Sequence, residues 1–184
     1  LALVADIGAT NARFALVRDH ALVHSRVLRA AEHPSLASAI GAYLDAVQPD
    51  RPPRQAAIAF AGPIEGDRVT LTNHAWSFSL SALRDQLALD RLEVINDFTA
   101  IALGLPHLDE GDRRQIGPGR AVAGFPIGVL GPGTGLGMSG LVPVAGGWQP
   151  LSAEGGHVTM ASVDAREDAV IQRLRLRYSH VSAE

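Results

Sequence analysis

"VADIGATNARFALV", residues Val4 to Val17, decides how the chain reads. An apolar run breaks at Asp6, Gly8, Thr10 and Asn11 and turns apolar again at once, the pattern of a tight hairpin with polar groups at its tip. Outward from it, Ala21 to Leu28 reads as a third strand, and Leu36, Ile40, Tyr43, Leu44 and Val47 recur at helical spacing between Pro34 and Pro49. Ala56 to Ala61 is a further strand ending at Gly62-Pro63, and Val69 to Thr72 leads into "TNHAWSFS". Ser79 suits the cap of a short helix reaching Leu89; "LEVIN" then forms a strand that runs into a helix from about Asp97 to before Pro106. Strands mixed with single helices predict an α/β domain.

From Leu108 to Phe125 the composition turns to Gly, Arg, Asp and Pro, which suggests a crossing between two lobes, residues 1–108 and 109–184. The second lobe opens with "PIGVLGPGTGLGMSGLVPV", Pro126 to Val144. Near its end, Asp164 and Glu167 offer a capping-box-like start, followed by a stripe of Val170, Ile171, Leu174 and Tyr178. A hairpin, a loop and one helix carry too little apolar surface to close a core, so this lobe is expected to be incomplete.

Composition narrows the chemistry. At 184 residues and 47% hydrophobic, the chain is long enough to bury one sizeable core or two small ones. No cysteine is present, which removes disulfides, thiolate metal sites and cysteine nucleophiles. All 16 basic residues are arginine, so a P-loop lysine, a Schiff-base lysine and a lysine general base are excluded. With a net charge of −3 and scattered arginines there is no nucleic-acid footprint. Neither an apolar run long enough to span a membrane nor a basic-then-apolar leader is visible, and a cytoplasmic setting is expected.

The hairpin recurs. Asp6 to Val17, "DIGATNARFALV", lies over Gly131 to Val142, "GPGTGLGMSGLV", with Gly8 facing Gly133 and "LV" closing each. One such hairpin per lobe suggests two lobes clamping one ligand. Gly-rich turns expose backbone N–H groups to an oxyanion, as phosphate requires, and Thr10, Asn11 and Thr134 add side-chain donors. A carboxylate at Asp6 is suited to hold the hydrated Mg²⁺ that accompanies a nucleotide. "GLGMSG", Gly135 to Gly140, matches a dinucleotide fingerprint, but that needs a helix immediately after it. Here Met138 to Val144 alternates and contains Pro143, so a strand is expected, and "VAGGW" is expected to be only a hairpin turn.

Asn96 and Asp97 in "VINDFTA" stand where a buried strand hands over to a helix. Capping is the usual work of an Asp there, yet α/β proteins also place reactive groups at the carboxyl ends of strands. "SAEGGHV" sets Glu154 and His157 around two glycines, too few ligands for a zinc site. Carboxylates, an amide and an imidazole suit a polyhydroxylated molecule.

In order, "DIGATNAR", "AIAFAGPI", "TNHAWSFS", "INDFTA", "GPGTGLG", "EGGHV" and "HVSAE" resemble the amino-terminal part of a bacterial glucokinase, in the hexokinase and actin-like ATPase superfamily, across essentially the whole chain. The resemblance implies a two-lobed, ribonuclease H-like α/β fold and ATP-dependent phosphorylation of glucose at its 6-hydroxyl, with Mg²⁺. It assigns phosphate binding to Asp6, Gly8, Thr10 and Asn11 and to Gly133, Thr134 and Gly135, with Asp6 reaching Mg²⁺ through water. Asp97 becomes the catalytic carboxylate, and Asn96, Glu154, His157 and Glu184 join it in holding the sugar. It also implies a possible homodimer. Two positions depart from the family: Ala9 replaces a second glycine, which a positive φ would strain, and Ser152-Ala153 stands where Pro-Gly is common. Other readings are a kinase of another hexose or amino sugar, or a non-catalytic sugar-binding module. A repressor is disfavoured, because neither a cysteine-rich zinc motif nor an amino-terminal DNA-binding helix pair is present.

Overall fold

Ala2–Ile7 (β1) and Asn11–Arg18 (β2) pair antiparallel, from Ala2 opposite Val17 to Ile7 opposite Ala12, so the opening stretch is a hairpin. The computed structural model describes all residues except Pro63, residues 72–74, Thr134 and Glu184. These residues divide into two compact units, Leu1–Ala100 and Ile101–Glu184.

In the first unit, Ala21–Arg29 (β3) continues the meander. Its pairing with β2 shifts register between Phe14 and Leu16, and His24 turns to φ 56°. Such a bulge re-aims the strand. The Tyr43 hydroxyl fills the break by donating to the His24 carbonyl at 3.0 Å, while its ring stacks on Phe14 with centroids 5.3 Å apart. Tyr43 belongs to Leu36–Val47 (α1), whose periodic Leu36, Ile40 and Tyr43 are buried. The Ser35 hydroxyl caps the helix by accepting from Ser38 N–H at 3.1 Å.

Gln55–Phe60 (β4) then pairs parallel with β1. Ile64–Glu65 (β5), Arg68–Thr70 (β6) and Ser77–Ser79 (β7) make a small separate sheet, which the sequence reading did not mark as strands. Leu80–Gln86 (α2) follows, capped as expected by Ser79 but stopping short of Leu89. The Asp67 carboxylate staples this corner, accepting from Ser81 N–H at 2.8 Å and from the Ser79 and Ser81 hydroxyls. Arg91–Asn96 (β8) completes the main sheet in the order β3-β2-β1-β4-β8. Leu3, Ile7, Phe14, Leu16, Ile58 and Phe60 pack with α1 into one core.

Asp97–Gly104 (α3) starts in the first unit and crosses the division. In the second unit Ile127–Pro132 (β9), Leu136–Val144 (β10) and Gly147–Ser152 (β11) form an antiparallel sheet in the order β11-β10-β9. A strand therefore follows "GLGMSG", and "VAGGW" is the β10–β11 turn, with Gly146 at φ 87°. Ala165–Tyr178 (α4) is capped by Asp164, which accepts from Glu167 N–H at 2.8 Å, while the Glu167 carboxylate reaches back to Val163 N–H at 2.9 Å. The apolar stripe on α4 is not the core contact it promised: Ile171 is buried, but Val170, Leu174 and Tyr178 are exposed. Among the described residues no helix is long and apolar enough to cross a membrane.

Candidate active site

Because β1, β4 and β8 run parallel and in register, Ile7, Phe60 and Asn96 lie side by side at one carboxyl edge. Two strand spacings of about 4.8 Å separate the outer pair. At that edge β1 gives way to its turn, which Gly8 N–H closes on the Asn11 carbonyl at 3.0 Å, while the Thr10 carbonyl accepts from Ala30 N–H at 3.0 Å. Ala9 is not in the left-handed region, so its methyl costs this turn no backbone strain. Gly8, Thr10 and Asn11 thus sit as expected on a turn beside the end of a strand. Asp6 stands opposite Arg13, and the Arg13 guanidinium donates to its carboxylate at 2.8 Å, with both side chains about half exposed. No role was read for Arg13, although its place in "DIGATNAR" is the signal that could have found it.

Two strands away, Asn96 ends β8 and Asp97 begins α3. The cap is Asn96: its Oδ1 accepts from Phe98 N–H at 2.9 Å and Thr99 N–H at 3.1 Å. Asp97 therefore stands inside the first turn, its Oδ1 sharing the Phe98 N–H at 2.9 Å. Burial pushes the Asp97 carboxyl above the usual carboxylate range, opposed by the Phe98 N–H and reinforced by the negative charge of Asp6. A half-buried carboxylate made more basic is the arrangement expected of a proton acceptor.

In the second unit the β9–β10 turn carries Gly133 and Gly135, closed by Gly133 N–H on the Gly135 carbonyl at 2.8 Å. Thr134, between them, lies outside the described residues, as does Glu184. After β11 the chain passes Glu154 into a 3-10 turn, Gly155–His157. The Glu154 carbonyl accepts from His157 N–H at 3.1 Å, and His180 Nε2–H donates to the His157 carbonyl at 2.9 Å. Glu154 and His157 are thus held on one turn beside β10.

Among the described residues no group of three or more histidines or carboxylates could cage a metal. Mg²⁺ needs no such cage, because it keeps waters and takes one or two carboxylates with phosphate oxygens supplying the rest. Asp6, near the end of β1, is a carboxylate of that kind.

A family model described as glucokinase matches residues 3–184. A glucokinase of Aromatoleum aromaticum is 50% identical over 99% of this chain and 56% of its own length. A bifunctional protein glk of Burkholderia thailandensis is 50% identical over 99% of this chain but only 28% of itself. Among solved structures, a glucokinase from an Antarctic psychrotroph superimposes with a TM-score of 0.84 at 39% identity, covering all of this chain and 59% of the other. A glucokinase of Balamuthia mandrillaris in complex with glucose gives 0.68 at 25% identity, covering 95% and 53%. The chain thus spans a little over half the length of the glucokinases it matches.

Proposed function

Since the chain belongs to the glucokinase family, we propose that it is the part of an ATP-dependent glucokinase that carries the catalytic carboxylate and the phosphate turns, in lobes 1–108 and 109–184. The observation that carries this is Asp97: half buried, relieved of capping by Asn96, and more basic than a free carboxylate.

In this reading Asp97 orients the glucose 6-hydroxyl and accepts its proton as that oxygen attacks the γ-phosphorus of ATP in line. The bond from the γ-phosphorus to the bridging oxygen breaks, and ADP leaves with that electron pair. The transition state is loose and its charge sits on the transferring group, so placing Asp97 matters more than its base strength. Backbone N–H groups of the turns at Gly8, Thr10 and Asn11 and at Gly133, Thr134 and Gly135 hold phosphate oxygens, apart from those of Gly8 and Gly133, which close the turns themselves. Mg²⁺, when bound through water to Asp6, neutralises charge on the phosphates. Arg13, already on Asp6, is placed to orient that carboxylate. Asn96, Glu154, His157 and Glu184 hold the remaining hydroxyls, and a sugar lacking one leaves a polar group unpaired, which sets the preference for glucose. The setting is the cytoplasm.

The test is ATP-dependent glucose 6-phosphate formation by this chain and by a version extended to the length of its relatives, each beside Asp97→Asn. The extended protein is expected to turn over, and Asp97→Asn to lower kcat by about a hundredfold or more, the scale of a lost general base. An extended protein that binds glucose but makes no glucose 6-phosphate would overturn the proposal in favour of a binding module.

A further inference from the structure

Gly155 is not glycine for the sake of its backbone. Gly146 and three other described glycines adopt positive φ, but Gly155 does not, so an ordinary residue could take its dihedral angles. What excludes a side chain there is Met138. A Cβ placed on Gly155 would overlap the Met138 sulfur and come within 3.1 Å of its Cγ and 3.2 Å of its Cβ.

The contact follows from how β10 and β11 are locked. Ser139 is buried, and its hydroxyl donates to the Leu151 carbonyl at 2.8 Å, fixing the register in which Ser139 faces Ser152. With β11 ending at Ser152, the chain folds back over β10, and the first residue of its 3-10 turn meets the neighbour of Ser139. Met138 itself stands just beyond the Gly133–Gly135 turn on β10, opposite Leu130 of β9. Met138 is itself exposed, and its long, unbranched thioether lies against Gly155.

We infer that Met138 is a positioning residue: its thioether seats Gly155 and so sets the height of the turn that carries Glu154 and His157. One end of that turn is fixed by this seat and the other by His180 on the His157 carbonyl. The inference rests on the reading that Glu154 and His157 hold the sugar.

The test is a double-mutant cycle in the protein at the full length of its relatives, read by equilibrium binding of glucose, by steady-state kinetics and by melting temperature. Gly155→Ala is expected to raise the glucose Kd and KM about tenfold with the KM for ATP unchanged, a typical size for coupling between touching residues. Met138→Ala raises them less, and Met138→Leu, which keeps the volume, stays near the unsubstituted protein. Combining Met138→Ala with Gly155→Ala recovers much of the loss, because the new methyl then has room. A double variant no better than Gly155→Ala, or a harmless Gly155→Ala, overturns the inference. A fall in melting temperature with unchanged glucose Kd reduces the contact to a purely structural one and also overturns it. If the unsubstituted protein binds no glucose, the reading of Glu154 and His157 has failed, whereas binding that ignores both substitutions fails only the seat.

Discussion

Asp97 burdens the fold it serves. Its carboxyl is more basic folded than at its ordinary value of 3.8, so the stabilising contribution of its protonated form is complete below that value and lost as pH rises through the folded one. At neutral pH the ionised group is therefore a liability, and Asp97→Asn is expected to raise the melting temperature while abolishing turnover. The gain should shrink towards nothing as the solution is acidified below both values, which a series of thermal melts at stepped pH would show. A gain that instead grew in acid would mean that Asp97 is held in its charged form. In the kinetics the same shift places the acid limb of kcat/KM, which reports the free enzyme, above that of an ordinary carboxylate, because activity falls as Asp97 takes up its proton. Asp67 shows the opposite sign. The Ser79 hydroxyl and Ser81 N–H hold it below the usual range, so its contribution is present at neutral pH and lost as pH falls through its folded value.

Two helix caps separate fold from function. Ser35→Ala and Asn96→Ala each remove a side chain that accepts from the first turn of a helix, at a cost of about 1 kcal/mol each. Denaturant melts should show similar losses, but only Asn96→Ala should also cut turnover, because Asn96 caps the helix that begins with Asp97 and is itself assigned to the sugar. Equal activity in the two variants would detach the α3 cap from the chemistry. The caps also mark how far the sequence could be read. Ser79 and Asp164 cap where their spacing predicts, because a cap is a local bargain between a side chain and an amide a few residues on. The division of labour between Asn96 and Asp97 was not legible, since both residue types cap equally well and only the register of β8 decides which one does. β5, β6 and β7 were missed because two or three residues carry no period. The stripe on α4 told which face is apolar, not what covers it. Met138 and Gly155 read as a strand filler and a loop glycine until the fold-back of the chain after β11 joined them.

Burial is unequal across the molecule. Among the described residues the large core belongs to the first unit, whereas Leu141, Ile171 and Val181 are among the few buried apolar residues of the second. In hydrogen exchange of the 184-residue chain, amides of β1, β2 and β4 are expected to be the slowest, and those of β9 to β11 and α4 markedly faster. Uniform protection across both units would contradict this. The strand order has a further consequence, in time rather than in space. The β1–β2–β3 meander needs only neighbouring residues and can close as soon as Arg29 is available, but the parallel edge waits for partners far along the chain, Phe60 for Ile7 and then Asn96 for Phe60. A chain leaving the ribosome thus possesses its first glycine turn well before Asp97 is in place. Until β8 docks, the edge that turn borders is unfinished.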